Sequence, residues 1–210
     1  IVSEAVYEGR LAAHPSAARR AIALAPAAAG GALPGGGGGD GAAGVAYVEV
    51  PHEGNTRSAP EEAAAIATLC EQLLASELVE EGGARRPLGW SDIVVVAPYN
   101  AQVRAIAAAL DPAARVGTVD RFQGQEAPVV VASLAHSDFD DESAAGAAAG
   151  GGVTGLSFVL NANRLNVALS RAQCLAVVVA SPRLVDARPR SLQQQRELAF
   201  LCRAREAAAT

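Results

Sequence analysis

Lysine is missing from this sequence: all seventeen of its basic residues are arginines. A phosphate-binding G-x-x-x-x-G-K-[ST] loop, whose lysine reaches the β- and γ-phosphates of a nucleotide, is therefore excluded. Methionine is missing as well, and the first residue is Ile1, so the chain reads as a piece of a longer protein. Only three cysteines occur, Cys70, Cys174 and Cys202, far apart and with no C-x-x-C pair. That spacing suggests neither a disulfide framework nor a zinc site, and the thiols are expected to be small buried hydrophobes. No apolar run reaches the ~18 residues that cross a bilayer and nothing resembles a signal peptide, so a cytoplasmic chain without membrane contact is expected. No strand-like run is followed by G-x-G-x-x-G with an acidic residue ~20 positions on, which argues against a dinucleotide-binding site.

What is present fits one α/β domain. Half of the 210 residues are apolar, enough for one ordinary core. The net charge of −5 argues against a whole-surface grip on nucleic acid and leaves room for a local basic strip. Two glycine- and alanine-rich stretches, 27–44 and 142–155, have little to bury and are expected to be flexible loops. The second follows Asp138, Asp140, Asp141 and Glu142, acidic residues read as a solvated loop, and no metal site is assigned.

Elsewhere strands and helices alternate. VAYVEV (45–50), DIVVVAPY (92–99), RVGTVD (115–120), PVVVASL (128–134) and CLAVVVAS (174–181) read as strands, the Val-rich ones as strands covered on both faces. Ser58-Ala59-Pro60-Glu61 reads as a capping box opening a helix with Ile66, Leu69, Cys70 and Leu73 on one face. Further helices are expected over 101–110, 163–173 and 190–207. This order predicts a mostly parallel sheet with helices on both faces, whose polar loops after the strands would line one functional edge.

Three polar stretches could carry chemistry. Arg164 and Arg171 stand seven residues apart on the expected helix 163–173, about two turns, and so share a side. They could be snorkelling arginines on a solvated face, or forks matched to phosphate. In the hinge Gln123-Gly124-Gln125-Glu126, the glycine allows a tight turn and the carboxylate could accept from ribose hydroxyls; an ordinary hydrated loop would look the same. Pro98-Tyr99-Asn100-Ala101-Gln102 is a similar polar exit from a strand. His14, His52 and His136 lack partners at catalytic or metal-binding spacing and receive no role.

The combination is more specific than its parts. VVVAPYNAQV, GTVDRFQGQEAPVVVAS and NRLNVALSRAQ running into CLAVVVAS occur in that order. Together they resemble motifs IV, V and VI of the carboxyl-terminal RecA-like lobe of superfamily 1 helicases. The branch is that of the nonsense-mediated-decay RNA helicase and the replication helicase-nuclease. The opening EAVYEGRLAAHP resembles the family's entry into this lobe, and FVLNANR most resembles bacterial members fused to a RecB-type nuclease. The likeness covers about residues 1–16 and 45–205.

The resemblance implies a division of roles. Arg171 matches the arginine finger that stabilises charge on a transferred phosphoryl group. Gln123, Gly124 and Glu126 match the motif V turn on the nucleotide, with the glutamate on the ribose, and Arg164 matches the arginine opening motif VI. Tyr99, Asn100, Gln102 and Thr118 match positions near the nucleic-acid strand. Asn163 stands where many relatives carry a second arginine, and Arg57 is the nearest counterpart of another arginine of the family. The implied ligands are ATP and Mg2+, held mainly by an amino-terminal RecA-like lobe of the same parent chain, with single-stranded DNA or RNA as partner. The isolated chain is expected to be inactive. The residues also leave open a non-catalytic nucleic-acid or protein-binding module on the same α/β frame.

Overall fold

Residues 20–25, 33, 41–137, 162–189 and 191–208 are described by a computed structural model, with the side chains of 162–165 and 207 outside that description. Eight strands follow in chain order: β1 (Ala21–Ala23), β2 (Gly44–Glu49), β3 (Glu77–Val79), β4 (Arg85–Pro87), β5 (Ile93–Ala97), β6 (Arg115–Thr118), β7 (Ala127–Ser133) and β8 (Ala172–Ala180). Among the described residues four helices accompany them: α1 (Pro60–Leu74), α2 (Asn100–Ala109), α3 (Ala162–Leu169) and α4 (Leu192–Ala208).

Five strands form one sheet in the order β2-β8-β7-β5-β6, and every neighbouring pair runs parallel. The valine-rich runs are suited to this, since β-branched side chains pack well on a pleated surface that is covered on both sides. Val95, Val129, Val131, Val177 and Val179 point to one face, against Ile66, Leu69 and Leu73 of α1 and Ile106 of α2. On the other face Val94, Val96 and Val130 meet Ala168 of α3 and Phe122, and Val178 meets Leu201 of α4. Each of these buried side chains larger than alanine contributes about 1.5–3 kcal/mol relative to an exposed one. The result is the expected α/β RecA-like sheet with helices on both faces.

A second, antiparallel sheet, β1-β3-β4, was not read from the sequence. Its strands are three residues each, too short for an alternating pattern to register. Arg86 of β4 anchors it to the main sheet, giving hydrogen bonds of 2.7 Å to both carboxylate oxygens of Asp92 just before β5.

Two helix boundaries differ from expectation. Helix α1 starts at Pro60 with Ala59 as its N-cap residue and no side-chain cap, so the Ser58 capping box does not form. Gln102 of α2 satisfies this end instead: its Oε1 accepts from Ala59 N at 2.8 Å and its Nε2 donates to Ala59 O at 3.1 Å. Helix α3 ends at Leu169, so Arg171 lies in the turn into β8 and shares no helix face with Arg164. The two glycine-rich stretches fall almost entirely outside the described residues, as does the acidic run 138–142.

Candidate functional site

Because the five strands are parallel, their amino ends share one edge of the sheet and their carboxyl ends the other. Ala127 and Ala172, the first residues of β7 and β8, are partners. Thr118 ends β6 beside Ala97, the end of β5. The stretch 119–126 therefore runs from the carboxyl edge back to the amino edge. This corrects the expectation that the polar hinges share one edge: Thr118 and Asn100 stand at the carboxyl edge, and Gln123–Glu126 and Arg171 at the amino edge.

The amino edge is rich in arginine. A short 3-10 helix, Val119–Phe122, carries the chain back, and Gly124, at φ +82°, makes the turn that ends this passage. That left-handed conformation costs a residue with a Cβ atom and suits glycine. Ala127 N–H donates to the Arg171 carbonyl at 3.1 Å, joining the two candidate segments directly. Phe122 is buried, with the Arg115 and Arg121 guanidinium carbons 5.7 and 5.9 Å from its ring centroid, within cation–π range. Arg115 also donates to Gln125 Oε1 at 2.8 Å.

Arg171 shares a small cavity with Val119, Phe122, Gln125, Val167 and Ala168. Its Nε is buried and has no hydrogen-bond partner among the described residues. A half-buried arginine at this turn can offer its guanidinium fork to an anion's oxygens, although Nε itself is closed to solvent. Glu126 is exposed and its Oε2 accepts from Gln173 Nε2 at 3.2 Å, which leaves acceptor capacity for a hydroxyl. Gln123 and Gly124 are exposed on the same turn. The side chain of Arg164 lies outside the described residues. These groups fit a phosphate and a sugar. They do not fit a metal: among the described residues no group of three or more His, Cys, Asp or Glu could hold one.

The carboxyl edge divides the other four candidates. Asn100 is exposed and Thr118 half-buried, both accessible to a ligand. Tyr99 is buried at 9% exposure and packs in the core cluster that contains Leu134 and Leu184. Gln102 is fully buried and holds Ala59 and Ser133, so the structure takes it away from any strand and makes it a tie between loops. A polar residue on the helix following a strand looks the same in sequence whether it turns outward or inward.

Sequence reasoning missed a buried polar cluster at this edge. Glu62 is fully buried and its Oε1 lies 2.8 Å from His52 Nε2. His52 Nδ1 faces Asn55 Nδ2 at 3.0 Å and Ser137 Oγ at 2.9 Å. Because Asn55 Nδ2 also donates to Glu61 Oε2, Nδ1 is the acceptor and the ring hydrogen sits on Nε2, donated to Glu62. His136 Nδ1 meets the Thr56 carbonyl at 3.1 Å. The three partners of His52 lie 3, 10 and 85 positions away, at no catalytic spacing, so no local motif could have shown them.

Fold and edges together define a RecA-like α/β domain with an arginine-lined amino edge. The family model described as AAA domain matches residues 1–183, and the chain belongs to that family. It is 28% identical over 188 residues to DNA-binding protein SMUBP-2 of Mesocricetus auratus, a match covering 88% of this chain and 17% of that protein. It is 33% identical over 102 residues to RNA helicase Mov10l1 of Homo sapiens, covering 45% of this chain and 8% of that protein. The chain thus spans under a fifth of the length of these curated relatives. The similarities support a superfamily 1 helicase domain, the coarser part of the resemblance carried by the motifs. Among the described residues, no helix is long and apolar enough to cross a membrane.

Proposed function

We propose that this chain is the carboxyl-terminal motor lobe of an ATP-dependent DNA or RNA helicase, working against an amino-terminal RecA-like lobe of the same parent protein. The observation that carries the reading is the hydrogen-bonded corner that unites Arg171 with the Gln123–Glu126 turn at one sheet edge, opposite Asn100 and Thr118.

In this reading Arg171 reaches across the interlobe cleft to the terminal phosphate, and Glu126 holds the ribose hydroxyls. Arg164 is assigned to the nucleotide from its match to the arginine opening motif VI, its side chain lying outside the described residues. Bound ATP would supply a phosphoanhydride whose cleavage requires neutralisation of developing negative charge. A guanidinium delivered this way accelerates well-studied nucleotide hydrolases by ~10³–10⁵. The partner lobe supplies the phosphate loop, whose lysine this chain lacks, and the Mg2+ ligands, for which the described residues form no group. Asn100 and Thr118 contact a single strand at the far edge, so opening and closing of the cleft carries that contact along the strand.

The deciding experiment is Arg171→Ala in the parent protein. Strand-stimulated ATP hydrolysis is expected to vanish while nucleotide affinity stays within about threefold, since a finger acts on the transition state. Turnover near wild type would favour the alternative, a non-catalytic nucleic-acid or protein-binding module.

A further inference from the structure

Glu62 has more partners than a helix-end carboxylate needs. Besides His52, its Oε2 accepts from Ser133 Oγ at 2.6 Å, Leu134 N at 3.1 Å and Ala135 N at 3.0 Å. All of these partners are buried, and an ion is buried at this depth only when it is thoroughly paired. An apolar side chain would fill the same space at less cost. What the carboxylate adds is geometry: it grips the exit of β7, where Ala135 is held at φ 55°.

That grip extends to other loops at the carboxyl edge. Ser133 Oγ donates to Glu62 and accepts from Gln102 Nε2 at 3.0 Å, which reaches the first turn of α2, two residues after Asn100. His52 carries the connection to Asn55 and Ser137, whose backbones also pair through Ser137 N and Asn55 O at 2.8 Å. The exits of β2, β5 and β7 are thus fastened to one carboxylate on α1. None of these contacts involves the amino-edge turn or Arg171.

From this we infer that Glu62 is a positioning residue for the nucleic-acid side of the lobe. Acting through Ser133 and Gln102, it sets Asn100 and the neighbouring loops for a single strand, and it leaves the nucleotide side alone. This inference rests on the motor reading above.

The test uses the full parent protein with Glu62→Gln and, separately, Ser133→Ala, which cuts the link to Gln102 but leaves His52 and both backbone donors on Glu62. ATP turnover is titrated with oligo-dT and oligo-U. For Glu62→Gln the strand concentration giving half-maximal stimulation is expected to rise about tenfold, as for loss of bonds to a charged group. The KM for ATP and the maximal turnover should stay within about twofold, and Ser133→Ala should shift in the same direction by less. Hydrogen exchange should quicken in the segments 98–103 and 134–137 in both variants.

A KM for ATP that rises as much as the strand requirement, or a maximal turnover that falls at unchanged strand requirement, overturns the inference. Should Glu62→Gln fail to fold, Ser133→Ala decides by the same readouts. If the wild-type protein shows no strand-dependent turnover, the motor reading fails. Hydrogen exchange then still judges Glu62: loops no faster in the variants than in wild type overturn the positioning role.

Discussion

Ala127 and Arg171 meet through their backbones, the Ala127 amide donating to the Arg171 carbonyl at 3.1 Å. The turn before β7 and the turn before β8 are therefore one hydrogen-bonded corner, and Gln173 on β8 reaches back from it to Glu126 at 3.2 Å. If Glu126 holds a ribose there, charge-assisted hydrogen bonds of about 1.5–3 kcal/mol are at stake. Glu126→Ala in the parent should then raise the KM for ATP about tenfold or more, with a smaller change in kcat. It should also narrow the preference for ATP over 2′-deoxy-ATP. Steady-state kinetics with both nucleotides measures this, and an unchanged KM would remove Glu126 from the nucleotide side.

Arg86 of β4 and Asp92, just before β5, provide a stability test that touches neither Arg171 nor the Gln123–Glu126 turn. The Arg86 hydrogen bonds hold the Asp92 carboxyl below the usual carboxylate range, opposed by desolvation and helped by the Gly89 amide. A carboxyl whose folded pKa is depressed gives stability that is whole above its unfolded value of about 3.9. That stability is lost as pH falls through the folded value. Arg86 is 43% exposed, so solvent screening limits the worth of the pair to about 1–2 kcal/mol. Urea unfolding of wild type and Arg86→Ala should show that gap at pH 7, shrinking below about pH 4. A gap that persists undiminished in acid would assign the loss to packing of the arginine stem.

How much of this was legible in the sequence depends on the range of each interaction. The parallel sheet was, because Val94–Val96, Val129–Val131 and Val177–Val179 are local runs whose composition already encodes burial on both faces. The link between Arg171 and the Gln123–Glu126 turn came from the resemblance of whole motifs, since neither segment alone distinguishes a ligand site from a hydrated loop. The edge on which that turn lies was not legible. It depends on 119–126 recrossing the sheet, and a 3-10 turn four residues long leaves no periodic trace. Gln102 and Glu62 were illegible for another reason: apart from His52, ten positions from Glu62, their partners lie 31 to 73 positions away, so only the folded chain shows them as ties between loops.

Two glycines on either side of the 3-10 helix Val119–Phe122 should respond differently to substitution. Gly124 has φ +82° and nothing within 4 Å of an added Cβ, so only backbone strain opposes a side chain. Gly124→Ala should cost about 1–2 kcal/mol and Gly124→Asn less, because asparagine enters the left-handed region more readily. At Gly117 an added Cβ would lie 2.6 Å from Arg121 Cδ and 2.9 Å from Phe122 Cε2. Arg121 can swing aside, but the buried Phe122 ring cannot, so Gly117→Ala should cost about 1–3 kcal/mol. Gly117→Asn should be no better. Urea midpoints of the four variants check the contrast, and equal losses for Ala and Asn at 124 would show that strain is not the cause there.

The absence of lysine bears on what the chain can do by itself. Reaching the β- and γ-phosphates takes the lysine of a phosphate loop, and none of the seventeen basic residues is one. Arginine would not substitute well, because its planar fork differs from the compact ammonium that sits among phosphate oxygens. The residues of this chain should therefore bind ATP weakly and hydrolyse none of it, whether or not a single strand is present. If the two-lobe reading holds, adding the proposed amino-terminal lobe, covalently or in trans, should restore turnover, and Arg171→Ala in residues 1–210 should prevent the restoration. Phosphate release from purified residues 1–210 is the measurement. Strand-dependent turnover by these residues alone would mean that a nucleotide is held here by groups other than a phosphate loop, and the two-lobe mechanism would have to be abandoned.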